Sequence, residues 1–245
     1  FAFALWDAKE EFLFMARDRA GKKPLYWMEW EGRLIFGSEI KALLAFPGTP
    51  RRLNEEAFYH YLTFLTTPPP MTLFSGVQKL AAVWMLTCNK EGTVKTAQYW
   101  DPLEASGKLP IINSPEEACE KTVELLRESI RYRMVSDVPF GVFLSGGVDS
   151  SANVALMSEL MKDPVRTFSI GYPPGVDYDE LKWARLIADK YKTEHHEFVI
   201  KESDLIDFLP KMVFHQDEPL ADPVCVPVYF VSKLARDNGV IVAQV

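Results

Sequence analysis

Ser145-Gly146-Gly147-Val148-Asp149-Ser150-Ser151 lies between an apolar run, Val138 to Leu144, and a segment of helical character at 150–162. A strand that turns through two glycines into a helix brings its backbone close to whatever sits beyond the turn. The first amides of that helix lack intrahelical partners, and its dipole favours an anion there by about 0.3–1 kcal/mol. Ser145, Ser150 and Ser151 add hydroxyl donors. Together these features describe a cradle for phosphate or pyrophosphate. Asp149 is the exception, because a carboxylate beside phosphate oxygens is repulsive. A magnesium ion between them removes the conflict, since Mg²⁺ is usually held by one or two carboxylates plus substrate phosphates. A Gly-rich turn with no ligand would explain the glycines but neither the carboxylate nor the hydroxyls. The string contains no Gly-Lys-Ser/Thr and no GxGxxG, which sets aside a Walker loop and a dinucleotide fold.

Strand and helix alternate on both sides of this loop. Ser114-Pro115-Glu116-Glu117 reads as a capping-box start, followed at helical spacing by Ala118, Thr122, Leu125, Leu126, Ser129, Ile130, Arg133 and Met134. Beyond the loop come a strand at 166–172, a helix at 179–192 and a strand at 194–200. A helix at 203–216 is expected to bend or restart at Pro210. Pro227 opens a last helix that stops at Gly239, before a strand at 240–245. This alternation specifies an α/β fold with a doubly wound parallel sheet and right-handed crossovers. The spatial order expected is 194–200, 166–172, 138–144, 240–245, with helix 227–238 on the face opposite the earlier crossovers. The phosphate loop then lies at the switch point between the last two strands, where open α/β sheets bind ligands.

Before residue 105 the texture differs. Apolar or aromatic runs at 1–6, 12–17, 25–30 and 33–37, separated by short polar or Gly/Pro turns, suggest an antiparallel meander. Ser38 is placed to cap a short helix at 39–46 and Asn54 another at 55–65. Two further strands are expected near 77–88 and 93–100. Residues 101–113 are weakly periodic. The division is therefore one domain at 1–105, a linker at 106–113 and a second domain at 114–245.

Composition excludes several classes of function. The 245 residues are 48% hydrophobic and 25% charged, with a formal charge of −7. Nucleic-acid binding needs a basic footprint that this balance lacks. No apolar run approaches the roughly 20 residues of a spanning helix. Cys88, Cys119 and Cys225 form no CxxC pair, which suits a reducing compartment and a cytoplasmic protein better than a disulfide framework. The chain lacks an initiator Met and begins inside an expected strand, so it reads as a fragment.

Ser145 to Ser150 resembles the pyrophosphate loop of the N-type ATP pyrophosphatases, proteins of adenine nucleotide alpha hydrolase-like fold that cleave ATP between its α- and β-phosphates. The resemblance implies an ATP site made of Leu144, Ser145, Gly146, Gly147, Val148, Asp149, Ser150 and Ile170. Leu144 and Ile170 would contact adenosine, although core packing alone also accounts for both. Asp149 is the catalytic candidate and would act through magnesium. Phe1-Ala2-Phe3-Ala4-Leu5-Trp6-Asp7, then Ala16 to Tyr26 (Ala-Arg-Asp-Arg-Ala-Gly-Lys-Lys-Pro-Leu-Tyr), then Phe36-Gly37-Ser38-Glu39-Ile40-Lys41-Ala42-Leu43, are similar to the later part of a class II glutamine amidotransferase domain, an α+β N-terminal-nucleophile fold. Joined to a pyrophosphate-loop domain, they resemble glutamine-dependent asparagine synthetase over essentially the whole chain. The sequence departs from that family at Lys79-Leu80-Ala81-Ala82-Val83-Trp84, where Pro-Pro-Gly usually follows the Lys-Leu.

In that family, ammonia from glutamine reaches a β-aspartyl-adenylate made from aspartate and ATP, and asparagine, AMP and pyrophosphate result. The partners implied are thus ATP, aspartate and glutamine, with neither nucleic acid nor membrane, and a homodimer is compatible. The family's glutaminase nucleophile is an N-terminal cysteine, whereas residue 1 here is Phe. Its second nucleotide loop follows a strand like 240–245. The expectation is one wall of one active site, inactive alone. Rival readings are a β-lactam synthetase, an amidotransferase acting on a polysaccharide precursor, and a non-catalytic module that keeps the fold. Asp149 in an anion cradle speaks against the last.

Other polar clusters are read structurally. His195-His196-Glu197 lacks the spacing of a metal set. Asp217 and Glu218, in a loop after a helix, could face an acyl-adenylate pocket but read more simply as solvated charges. Asp177, Asp179 and Glu180 suit the first turn of the following helix.

Overall fold

The computed structural model describes residues 1–174 and 179–245, so the expectation for Asp177 lies outside the described residues. The chain forms two compact units, Phe1–Pro110 with Val213–Asp222, and Ile111–Met212 with Pro223–Val245. The division expected from the sequence places 213–222 in the second part, whereas here they join the first.

The first unit contains β1 (Ala2–Asp7), β2 (Phe12–Arg17), β3 (Tyr26–Trp30), β4 (Arg33–Gly37), α1 (Ile40–Leu44), α2 (Glu55–Phe64), β5 (Gln78–Lys79), β6 (Trp84–Cys88), β7 (Val94–Gln98) and α3 (Pro102–Ser106). In place of one meander, the strands form two antiparallel sheets, β1-β2-β6-β7 and β4-β3-β5. The single strand expected over 77–88 is broken at Val83, whose φ of +64° is a left-handed conformation that a β-branched residue rarely adopts. Its two pieces join different sheets. Met15, Leu25, Trp27, Leu80 and Leu86 form one buried cluster, and Met28, Ile40, Leu43 and Val77 another. Asn54 caps α2 as expected, its side chain accepting from Ala57 N at 3.1 Å. α3 forms inside the weakly periodic stretch because Asp101 caps it and Pro102 opens it.

The second unit contains α4 (Pro115–Arg133), β8 (Phe140–Phe143), α5 (Val148–Leu160), β9 (Arg166–Gly171), α6 (Leu181–Tyr191), β10 (Glu194–Val199), α7 (Glu202–Gln216, whose last residues belong to the first unit), α8 (Cys225–Asp237) and β11 (Val242–Gln244). The sheet order is β10-β9-β8-β11 with every pair parallel, the order expected from the crossovers. The pleat sends alternate residues to opposite faces. Val142 and Leu144 pack with Ile130 of α4, Val154 and Met157 of α5, and Ala184 and Ala188 of α6. Phe143 and Phe168 face Val231 and Ala235 of α8. Both faces are covered, as a parallel sheet requires.

Ser114 opens α4, its hydroxyl accepting from Glu117 N at 3.1 Å. α7 is one helix through Pro210, where a bend or restart was expected, so it does not restart there. A proline inside a helix removes one amide donor without having to end it. α8 begins two residues before Pro227, which therefore sits in the first turn, where its missing N–H costs nothing.

Candidate functional site

Beyond β8 the chain is fixed before it turns. Leu144 N donates to Phe168 O at 2.9 Å, and Ser169 Oγ donates to Leu144 O. Gly146 then takes φ +83°, and Gly147 is the N-cap of α5 with no side chain to cap it. The first-turn amides of α5 are thereby left for a ligand. Ser145 Oγ and Ser150 Oγ are 3.0 Å apart, and Ser145 N donates to Ser150 Oγ at 3.3 Å. Gly147 N donates to Ser145 Oγ and Ser150 Oγ donates to Gly147 O, both at 3.3 Å. Ser145, Gly147, Val148 and Asp149 are exposed, Val148 at 86%. The arrangement is an open anion cradle at the carboxyl end of β8, beside the β8/β11 switch point.

Ser151 does not join it. Its Oγ is buried and finds no partner among the described residues, so two hydroxyls face the loop rather than three. Leu144 is 2% exposed, inside the cluster shared with α5, while Ile170 packs on the α8 side. The two expected adenosine contacts thus lie on opposite faces of the sheet. Among the described residues no group of three or more His, Cys, Asp or Glu could hold a metal. An ion at Asp149 would have to share its ligands with substrate oxygens and water, as Mg²⁺ commonly does.

The loop has a side wall that the sequence reading missed. A Cβ on Gly146 would lie 2.5 Å from Trp183 Cβ and 2.6 Å from Ala184 N, so the turn rests directly on the first turn of α6. Gly146 and Trp183 are far apart in sequence. Only their positions at the carboxyl edges of adjacent strands signal that they meet. Gln244 was also missed. At the end of β11 it pairs in register with Val142, is 8% exposed, and its Nε2 has no partner among the described residues.

Asp179 accepts from Tyr172 N at 3.3 Å, and α6 has no acidic residue in its first turn, so Asp179 caps the end of β9 rather than the helix. His195 Nδ1 lies 2.8 Å from Thr167 Oγ1 and its Nε2 lies 3.2 Å from Glu197 Oε1. Arg185 of α6 donates to both Glu197 oxygens, at 2.8 and 2.6 Å. Burial pushes the His195 pKa below its ordinary 6.5, against the pull of Glu197, and the Arg185 hydrogen bond lowers that of Glu197. Asp217 and Glu218 are not solvated charges. Within the first unit their side chains are 10% exposed and pair with Lys41 at 2.9 Å and Lys79 at 3.0 Å.

No helix among the described residues is long and apolar enough to cross a membrane. Residues 1–100 match a family described as Glutamine amidotransferase domain. Asparagine synthetase [glutamine-hydrolyzing] 1 of Bacillus subtilis (strain 168) is 33% identical over 238 residues, covering 97% of this chain and 37% of that protein. Amidase chry2 of Gibberella zeae is 31% identical over 240 residues, covering 91% of this chain and 34% of its own length. The chain spans less than half the length of the curated relatives it matches. An NH3-dependent NAD synthetase of Campylobacter jejuni superposes at a TM-score of 0.36 and 16% identity, over 50% of this chain and 54% of that one. Residues 121–244, more than half of the 245, match the family described as Asparagine synthase, and the chain belongs to that family.

Proposed function

We propose that this chain contributes the ATP-using site of a glutamine-hydrolysing asparagine synthetase. The observation that carries the reading is the Ser145–Ser150 cradle, with uncapped α5 amides, at the carboxyl end of β8. The loop hydroxyls and amides would bind the β- and γ-phosphates and stabilise the departing pyrophosphate, a preorganised electrostatic role. Leu144 and Ile170 would border the adenosine, Leu144 through its backbone, since its side chain belongs to the core. Asp149, exposed in the first turn of α5, would hold magnesium, which supplies charge neutralisation between carboxylate and phosphates.

The reaction supported is adenylation of the aspartate side-chain carboxylate, followed by attack of ammonia that the amidotransferase part releases from glutamine. The domain division proposed is 1–105, a linker at 106–113, and 114–245. A second reading, a related enzyme acting on a substrate other than aspartate, is favoured by the relative named as an amidase at comparable identity.

Asp149→Asn in the complete protein tests the first reading. Aspartate-dependent pyrophosphate release should fall at least about a hundredfold while glutamine hydrolysis changes little. Near-normal pyrophosphate release would remove Asp149 from the reaction.

A further inference from the structure

The phosphate loop carries hydroxyls, amides and a carboxylate but no cation. α5 brings none either, since Val148–Leu160 contains Asp149 and Glu159 and neither Lys nor Arg. A polyphosphate seated there would need positive charge beyond one shared metal ion. The element that touches the loop from the side is α6, whose Trp183 Cβ and Ala184 N close on Gly146.

Trp183 is 52% exposed, and Lys182 Nζ lies 4.9 Å from the centroid of its indole. The indole is thus rooted on the loop and carries an ammonium on its face, a cation–π arrangement. α6 is itself anchored. Leu181 packs so closely on the end of β9 that a Cβ on Gly171 would lie 2.1 Å from Leu181 Cδ1, and Arg185 grips Glu197 of β10 with two hydrogen bonds. Lysine offers a compact charge with three donors on a flexible stem, which suits a phosphate oxygen at a site built from small groups.

We propose that Lys182 is a further binding residue for the phosphates of the nucleotide, and that Trp183 is the positioning residue that holds both Lys182 and the Gly146 turn. The proposal rests on the ATP reading given above. It assigns to the first turn of α6 the positive charge that the loop lacks.

The test titrates the complete protein and its K182Q, K182R, W183F and W183A forms with MgATP, with inorganic pyrophosphate plus Mg²⁺, and with AMP, by calorimetry and tryptophan fluorescence. K182Q should weaken MgATP and pyrophosphate about tenfold, the scale of one lost charge-assisted contact, with AMP changed less than about twofold. K182R should recover most of the loss. W183A should match K182Q, while W183F keeps the phosphate affinity and loses the fluorescence change seen with the parent chain. K182Q binding MgATP as tightly as the parent overturns the proposal and leaves the ATP reading standing. Equal weakening of AMP and pyrophosphate also overturns it, because that pattern marks a general structural effect. Binding of neither MgATP nor pyrophosphate by the complete protein overturns both readings.

Discussion

Asp217 Oδ2 accepts the amide of Ile40 at 2.7 Å, across 177 residues of sequence, while Oδ1 takes the Lys41 ammonium at 2.9 Å. α1 has no side-chain cap of its own, since its N-cap residue Glu39 makes none and Ser38, the expected cap, lies outside it. Asp217 supplies that cap from a remote segment. Burial works against the Lys41 charge, but Glu39 and Asp217 together raise its pKa above the ordinary value. Asp217→Ala should therefore destabilise the first unit by about 1.5–3 kcal/mol, the range for a charge-assisted bond lost inside a protein. Asp217→Asn keeps an acceptor for Ile40 N and should cost less. Urea unfolding reads both, and a loss below about 0.5 kcal/mol for Asp217→Ala would return Asp217 to the class of solvated charges.

Glu218 is held as firmly. Its Oε2 accepts from Thr67 Oγ1 at 3.2 Å and pairs with Lys79 at 3.0 Å, and its Oε1 accepts from Leu73 N. A half-buried pair of this kind costs most when one member is left alone. Glu218→Met and Lys79→Met should each destabilise, and the double variant should cost less than their sum by about 1–3 kcal/mol. Simple additivity in a double-mutant cycle would show the pair to be uncoupled.

The loop, the parallel sheet and its order were legible because each rests on local signals that agree. Two glycines, a following helix and alternating apolar runs leave one crossover scheme. The break at Val83 was not legible in Leu80-Ala81-Ala82-Val83-Trp84 itself, where no residue demands a left-handed conformation; the one signal was the Gly that the resembled family usually carries at the position of Val83. Asp217 and Glu218 were misread for a related reason. A carboxylate in a loop looks solvated until the lysines and amides that meet it are known, and these come from residues 40 to 79. The contact of Gly146 with Trp183 is tertiary in the same sense. The sequence offers only a glycine and a helix start at neighbouring strand ends.

His195 gives a pH prediction of definite sign. Its folded pKa is lowered, first by burial, so the unfolded chain binds a proton more readily and stability falls as pH drops below 6.5. Glu197 has a lowered pKa because of Arg185, and its contribution is lost as pH falls below 4.5. Both act in the same direction, in successive windows. Thr167 Oγ1 at Nδ1 and Glu197 at Nε2 suit a neutral ring with its proton on Nε2. His195→Gln should flatten the decline in stability between pH 7 and 5 while leaving the step below 4.5 in place. An NMR titration placing the His195 pKa above 6.5 would reverse the sign and defeat the prediction.

The two loop glycines should respond oppositely to the same substitution. Gly146 has φ +83°, where a side chain costs about 1–2 kcal/mol. In addition, a Cβ there would sit 2.6 Å from Ala184 N, a backbone atom that cannot rotate away. Gly147 has φ −68° and ψ 166°, an ordinary extended conformation, and a Cβ there would meet only Ser145 Oγ at 3.3 Å. Gly146→Ala should therefore lower stability by about 2 kcal/mol or more, because α6 or the loop must shift. Gly147→Ala should be neutral or stabilise by up to about 1 kcal/mol, through the smaller freedom of its unfolded chain. Thermal unfolding of the two variants side by side decides the matter. Equal losses would mean that the glycines serve flexibility alone, and a tolerated Gly146→Ala would mean that α6 does not brace the phosphate loop.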